Sequence, residues 1–143
     1  MSRVVYLVAE VLWHHPHFAR HPAGGVPLRM FRHRDAAEAC CLRLNRNFQA
    51  GRCPFDHPPR EVAGRDSAAW LRWDEDEPRL RVLIDYVQDL GLPAPATDGP
   101  LRAAWIVWWR ATRPAMEPAQ WQAIWTFLDR RLPFRVSEVP CQE

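Results

Sequence analysis

Residues 4–13, Val4-Val5-Tyr6-Leu7-Val8-Ala9-Glu10-Val11-Leu12-Trp13, decide how this chain folds. The run is almost continuously apolar and rich in β-formers. In a strand, successive side chains point to opposite faces, so such a run is apolar on both and reads as a central strand. A central strand needs a neighbour on each side. One is residues 28–32, where Leu28 and Met30 share a face and Phe31 takes the other. Pro16, Pro22, Gly24, Gly25 and Pro27 exclude regular structure between these two strands and leave a long hairpin loop. The other neighbour is the C-terminal run Phe134 to Val139.

The rest is helical in pattern. A first helix starts at Asp35, with Asp35 as its cap and Glu38 completing a capping box. Ala37, Cys40, Cys41, Leu44 and Phe48 make its apolar stripe, and Gly51 stops it. Residues 52–66 read as a Pro-rich loop. The acidic run Asp74 to Glu77 leads into a helix opened by Pro78, where acids favour the helix dipole. Leu80, Leu83, Ile84, Val87 and Leu90 form its stripe, and Gly91 ends it. A connector with Pro93, Pro95, Gly99 and Pro100 precedes a short helix bearing Leu101, Trp105, Trp108 and Trp109. Glu117 and Pro118 open a last helix with Trp121, Ile124, Trp125, Leu128 and Leu132, ended by Pro133.

The expected fold class is therefore α+β: a small three-stranded antiparallel sheet with a Trp-rich helical insertion before the last strand. Because that strand must return to the sheet, the chain reads as one domain over 1–143, with a ββα core at 3–51 plus 134–139 and an insertion at 67–132.

Composition bounds function more than it names it. The 143 residues are 48% hydrophobic and 25% charged, ordinary values for a chain that buries a core. All 19 basic residues are arginine, yet net charge is only +2. Arginine without lysine can serve planar anion recognition. It also follows from a GC-rich coding sequence, and plentiful alanine and proline favour that origin. The near balance of charges weighs against a nucleic-acid partner. No apolar run approaches the roughly 20 residues that span a bilayer, and the first residues lack the features of a signal peptide. Four cysteines with no framework spacing fit a reducing, cytoplasmic setting.

Three segments together, VVYLVAEV, PLRMFRHRDAAEACCLRLNR and FRVSEVP, resemble small bacterial and phage ββαβ proteins of unknown function. The stretch Trp108 to Phe134 is similar to longer members from planctomycete-like genomes that carry a Trp-rich helical insertion. The resemblance implies the fold and brings neither an activity nor a site residue.

Five groupings are candidates for chemistry. His14, His15, His17 and His21 lie within eight residues, and with Cys53 and His57 they supply zinc- or nickel-type ligands. Their spacing matches no tetrahedral motif, and no acid within the loop orients them. Cys40 and Cys41 are adjacent on a helix and read as small buried hydrophobes. Asp74 to Glu77 reads as a helix start. Arg29, Arg32, His33 and Arg34 sit at a helix start, where an anion can bind, although Asp35 competes for the same amides. Finally Trp105, Trp108, Trp109 and Arg110 are the residue types of interface hot spots. Their helical spacing favours a place in the core, yet Trp108 and Trp109 are neighbours that cannot both face one core squarely, so one of them is expected to be exposed. Phosphate loops, serine elbows and His-Glu-x-x-His motifs are absent from the sequence.

The reading that follows is a non-catalytic protein-interaction module acting through exposed tryptophans or a free sheet edge, on another protein or on a second copy. The alternatives are a metal-binding enzyme or sensor built on the His loop, and nucleic-acid binding through arginines and exposed tryptophans.

Overall fold

The computed structural model describes residues 3–11, 26–57, 59 and 78–141. β1 (Arg3–Glu10) is the middle strand, flanked by β2 (Val26–Phe31) and β3 (Phe134–Cys141), both antiparallel to it. Tyr6 lies between Phe31 and Glu138, and Val8 between Arg29 and Val136. The register with β2 shifts between Val8 and Ala9, so Leu28 is an extra residue with no partner on β1. Such a bulge twists an edge strand and re-aims its side chains. The fold is α+β, as the two-faced apolar run requires.

The helix α1 (Arg34–Gly51) covers one face of the sheet. Val8, Ala37 and Cys40 are buried together, with Tyr6, Phe31, Cys41, Leu44 and Val136 packed around them. Its start differs from the expected cap at Asp35. The Ala37 amide already donates to His33 O at 3.3 Å, which puts Asp35 inside the first turn. Glu38 pairs with Arg34 instead, at 3.7 Å. The Arg34 guanidinium also pairs with Glu138 on β3 and lies 5.3 Å from the centre of the Tyr6 ring. Glu138 beside it pushes its pKa above the ordinary arginine value.

The C-terminal strand is held from α1 as well as from β1. Asn45, buried on the helix, donates Nδ2 to Phe134 O at 3.1 Å and accepts the Phe134 amide on Oδ1 at 3.1 Å. Cys41 Sγ donates to the same carbonyl at 3.2 Å. Burial pushes the Cys41 thiol pKa up, so the proton it donates is retained.

The return of β3 was the reason to expect one domain. That return is present, and the chain divides into two compact units. Of the described residues, the first unit holds 3–11, 26–48 and 132–141, and the second holds 49–57, 59 and 78–131.

Among its described residues the second unit has three further helices. α2 (Pro78–Asp89) buries Leu80, Leu83 and Val87, and Gly91 at φ 80° ends it, the Leu92 amide reaching back to Val87 O at 2.9 Å. α3 (Leu101–Thr112) buries Leu101, Trp105, Trp108 and Trp109. α4 (Pro118–Leu128) opens on a capping box between Glu117 and Gln120 and buries Trp121, Ile124, Trp125 and Leu128. It stops earlier than the expected Pro133. Asp129 turns left-handed at φ 47°, a conformation that Asp tolerates better than most residues, and the chain leaves the helix there. Within 52–66, read as loop, Pro54–Asp56 form a single helical turn whose Phe55 is fully buried. Two arginines fix that turn: Arg130 Nε donates to Pro54 O at 3.0 Å and Arg102 Nε to Phe55 O at 2.9 Å.

Candidate interaction surfaces

Of the expected metal ligands, His14, His15, His17 and His21 lie outside the described residues. Cys53 and His57 flank the buried turn at 54–56. Among the described residues no group of three or more His, Cys, Asp or Glu side chains is placed to hold a metal ion. Burial pushes the Cys53 thiol up to about 11 and pushes His57 down to about 4. At neutral pH both are therefore uncharged, one a thiol and the other an imidazole set 5.7 Å from the Trp125 ring. A protonated thiol is neither a good nucleophile nor a ready metal ligand.

The His57 shift carries a pH dependence. Its folded pKa lies below the unfolded value of about 6.5, so the unfolded chain binds the proton more readily. The stability it contributes is complete above pH ~6.5 and is lost as pH falls towards about 4, by an amount on the order of 3 kcal/mol. His57→Gln should flatten the difference between denaturation midpoints at pH 7 and pH 4.5. Identical pH profiles for variant and parent would show that this imidazole is not held neutral by burial.

The tryptophans take the core place that their helical spacing favours, Trp108 and Trp109 alike. Trp105, Trp108 and Trp109 retain only 0%, 6% and 5% of their accessible surface. Trp105 stacks on Phe55 at 5.2 Å, and its Nε1 donates to Leu80 O at 3.0 Å. Trp108 meets Trp105 edge-on at 4.9 Å and donates to Pro93 O at 2.8 Å. Trp109 turns its edge to Phe55 at 6.1 Å. Adjacent helical residues point about 100° apart. Both neighbours are nonetheless enclosed, because α3 is covered on one side by the Phe55 turn and on another by the connector after α2. The expected exposed tryptophan is absent from this set; Arg110 is exposed, beside a core and not beside an open aromatic face. What α3 shows outward is Val107, 67% exposed. Val107, Ala103 and Ala111, with Pro95 and the flank of Trp108, line a shallow groove of about 400 Å³.

Among the described residues, the largest exposed apolar side chain is on the sheet. Met30 is 70% exposed, Leu28 45% and Val26 44%, all on β2, which is an edge strand. Leu28 and Met30 share a shallow groove of about 350 Å³ with Leu7, Pro27, Arg29 and Val139. Leu7 and Val139 come from β1 and β3, so the groove spans the sheet face opposite α1.

The chain matches no known protein family, no curated protein and no solved structure. Its residues alone must then carry the functional reading. The sequence pattern did signal the sheet surface, since Leu28 and Met30 were read onto one face and Phe31 onto the other.

Proposed function

We propose that this chain is a non-catalytic protein-interaction module that engages its partner along β2. The observation that carries the reading is the concentration of exposed apolar side chains, Val26, Leu28 and Met30, on one edge strand. An edge strand presents unpaired backbone N–H and C=O groups, and proteins ordinarily guard such edges with charge, brevity or cover. Here the edge is short and bears a proline, yet it leaves a large thioether and an isobutyl group in water. An extended segment laid along it gains main-chain hydrogen bonds from the edge and side-chain burial from the groove. The buried tryptophans serve as the core of the second unit. Among the described residues no helix is long and apolar enough to cross a membrane.

Selection of extended peptides from a displayed random library on the immobilised full chain tests this. Binders should be enriched, and Leu28→Gln with Met30→Gln should weaken them about tenfold or more, since each side chain buried at such a site is worth on the order of 1 kcal/mol. A library that yields no binder, or binders indifferent to both substitutions, sinks the proposal.

A further inference from the structure

We infer that the segment docking on β2 alternates acidic with apolar residues, its acids falling at the Arg29–Arg32 end of the strand. This rests on the interaction reading above and adds the chemistry of the partner.

The geometry of an added strand has a period of two, so alternate side chains of the newcomer reach the face opposite α1. There the groove lined by Leu7, Leu28, Met30 and Val139 offers apolar walls with Arg29 at their rim. Apolar side chains fit that half of the pattern. The remaining half is set by charge. From Val26 to Arg34 every ionisable residue is cationic or a histidine: Arg29, Arg32, His33 and Arg34. Arg34 is occupied by Glu38 and Glu138. Arg29 and Arg32 are exposed, and neither forms an ion pair with a described residue. At the other end of the strand Glu10 stands opposite Val26. An acidic residue docking there meets repulsion, whereas one docking beside Arg29, which stands opposite Val8 on the α1 side of the strand, meets an unanswered guanidinium group, and Arg32 just past the end of the strand adds its charge to that end. Charge thus selects both the composition of the incoming strand and its placement.

A second copy fits less well. Two β2 strands paired antiparallel about Arg29 set that residue against itself, and pairing about Met30 sets Leu28 against Arg32. Either way four arginines gather on one seam with no acid among the β2 residues to meet them, and like charges on facing strands destabilise a pair.

The test uses the full chain and three labelled synthetic peptides of about eight residues, alternating valine with glutamate, threonine or arginine, followed by fluorescence anisotropy. The glutamate peptide should bind about two- to fivefold more tightly than the threonine peptide, from one exposed cross-strand charge pair at Arg29, and the arginine peptide more weakly than either. The glutamate advantage should shrink as salt rises from about 0.05 to about 0.5 M. Arg29→Gln with Arg32→Gln should erase the advantage while leaving threonine-peptide binding in place. Both sites are exposed, so the double variant should keep the parent's circular dichroism. Equal binding of the glutamate and threonine peptides, lost on Met30→Gln, would overturn the acidic partner and leave the interaction module standing. A dimer in light scattering that Met30→Gln dissociates, or displacement of the peptide by a thymidine oligonucleotide, would overturn it in favour of a second copy or a nucleic acid. If no peptide of any kind binds and the displayed library also fails, the interaction reading falls with it.

Discussion

Trp105→Ala is expected to lower the stability of the second unit by about 3–5 kcal/mol, the range for truncating a fully buried large aromatic. The side chain is completely enclosed, stacked on Phe55 and edge-on to Trp108. Truncation removes both ring contacts and leaves a void that the two rigid rings fill poorly. It also deletes the hydrogen bond from Nε1 to Leu80 O, which ties α3 to α2. Trp105→Phe separates these effects. It keeps most of the stacked area and loses the donor, so it should cost about 1–2 kcal/mol less than the alanine change. Guanidinium denaturation followed by circular dichroism reads both values. A Trp105→Ala midpoint within error of the parent would mean that this ring is not the centre of the unit. Phe55→Ala should be destabilising by a similar amount, and the double variant by less than the sum, because the two rings share one contact.

The second large effect is at Asn45. Its side-chain amide satisfies both the N–H and the C=O of Phe134, acting for the first residue of β3 as a neighbouring strand would. Asn45→Ala strands the Phe134 amide beside a helix, where water has little access, and leaves Phe134 O with the weaker Cys41 thiol as its side-chain donor. A buried donor left without a partner costs about 1–3 kcal/mol, so a loss of about 2–3 kcal/mol in the first unit is expected. Asn45→Asp gives a sharper test. The new carboxylate still accepts the Phe134 amide but has no proton for Phe134 O. Protonating it restores the donor, so its folded pKa lies above the unfolded value of about 3.9. The destabilisation should therefore be full at neutral pH and recede as pH falls through the folded pKa. A variant equally unstable at pH 7 and pH 4, relative to the parent at each pH, would show that the amide's donor half contributes nothing.

What was legible in the sequence was set by periodicity. The run at 4–13 reads as apolar on both faces, and the structure places its residues 4–10 between two strands. Leu80, Leu83 and Val87, and then Trp121, Ile124, Trp125 and Leu128, recur at helical spacing, and all are buried. Where the reading missed, a local signal met a non-local condition. Asp35 and Glu38 have the spacing of a capping box, but Glu138, about a hundred residues away in sequence, helps hold Arg34 at that turn. Trp108 and Trp109 look unable to share one core, and the solution is that two segments read as loop, the Phe55 turn and the connector after α2, wrap α3 from different sides. Phe55 itself sits between prolines, a context that periodicity does not score. Asn45 did carry a signal. It follows Ala37 and Cys41 at four-residue intervals, so it belonged to the stripe, and a polar residue there needs a partner. That partner, the backbone of Phe134, lies 89 positions along the chain.

The strand order has a consequence for the nascent chain. β1 occupies the middle of the sheet, but the strand that flanks it as β3 begins at Phe134, after the whole of the second unit has been made. At a synthesis rate of about 5–20 residues per second, β1 waits roughly 6–25 s on the ribosome with one long side unpaired. The described part of the second unit has no such wait, since its helices and the Phe55 turn emerge one after another and can pack as they appear. Translation thus favours completing the helical unit first and closing the sheet last. During that interval the apolar side of β1 is open to whatever else is nearby, which makes a holdase chaperone useful to a chain of this topology.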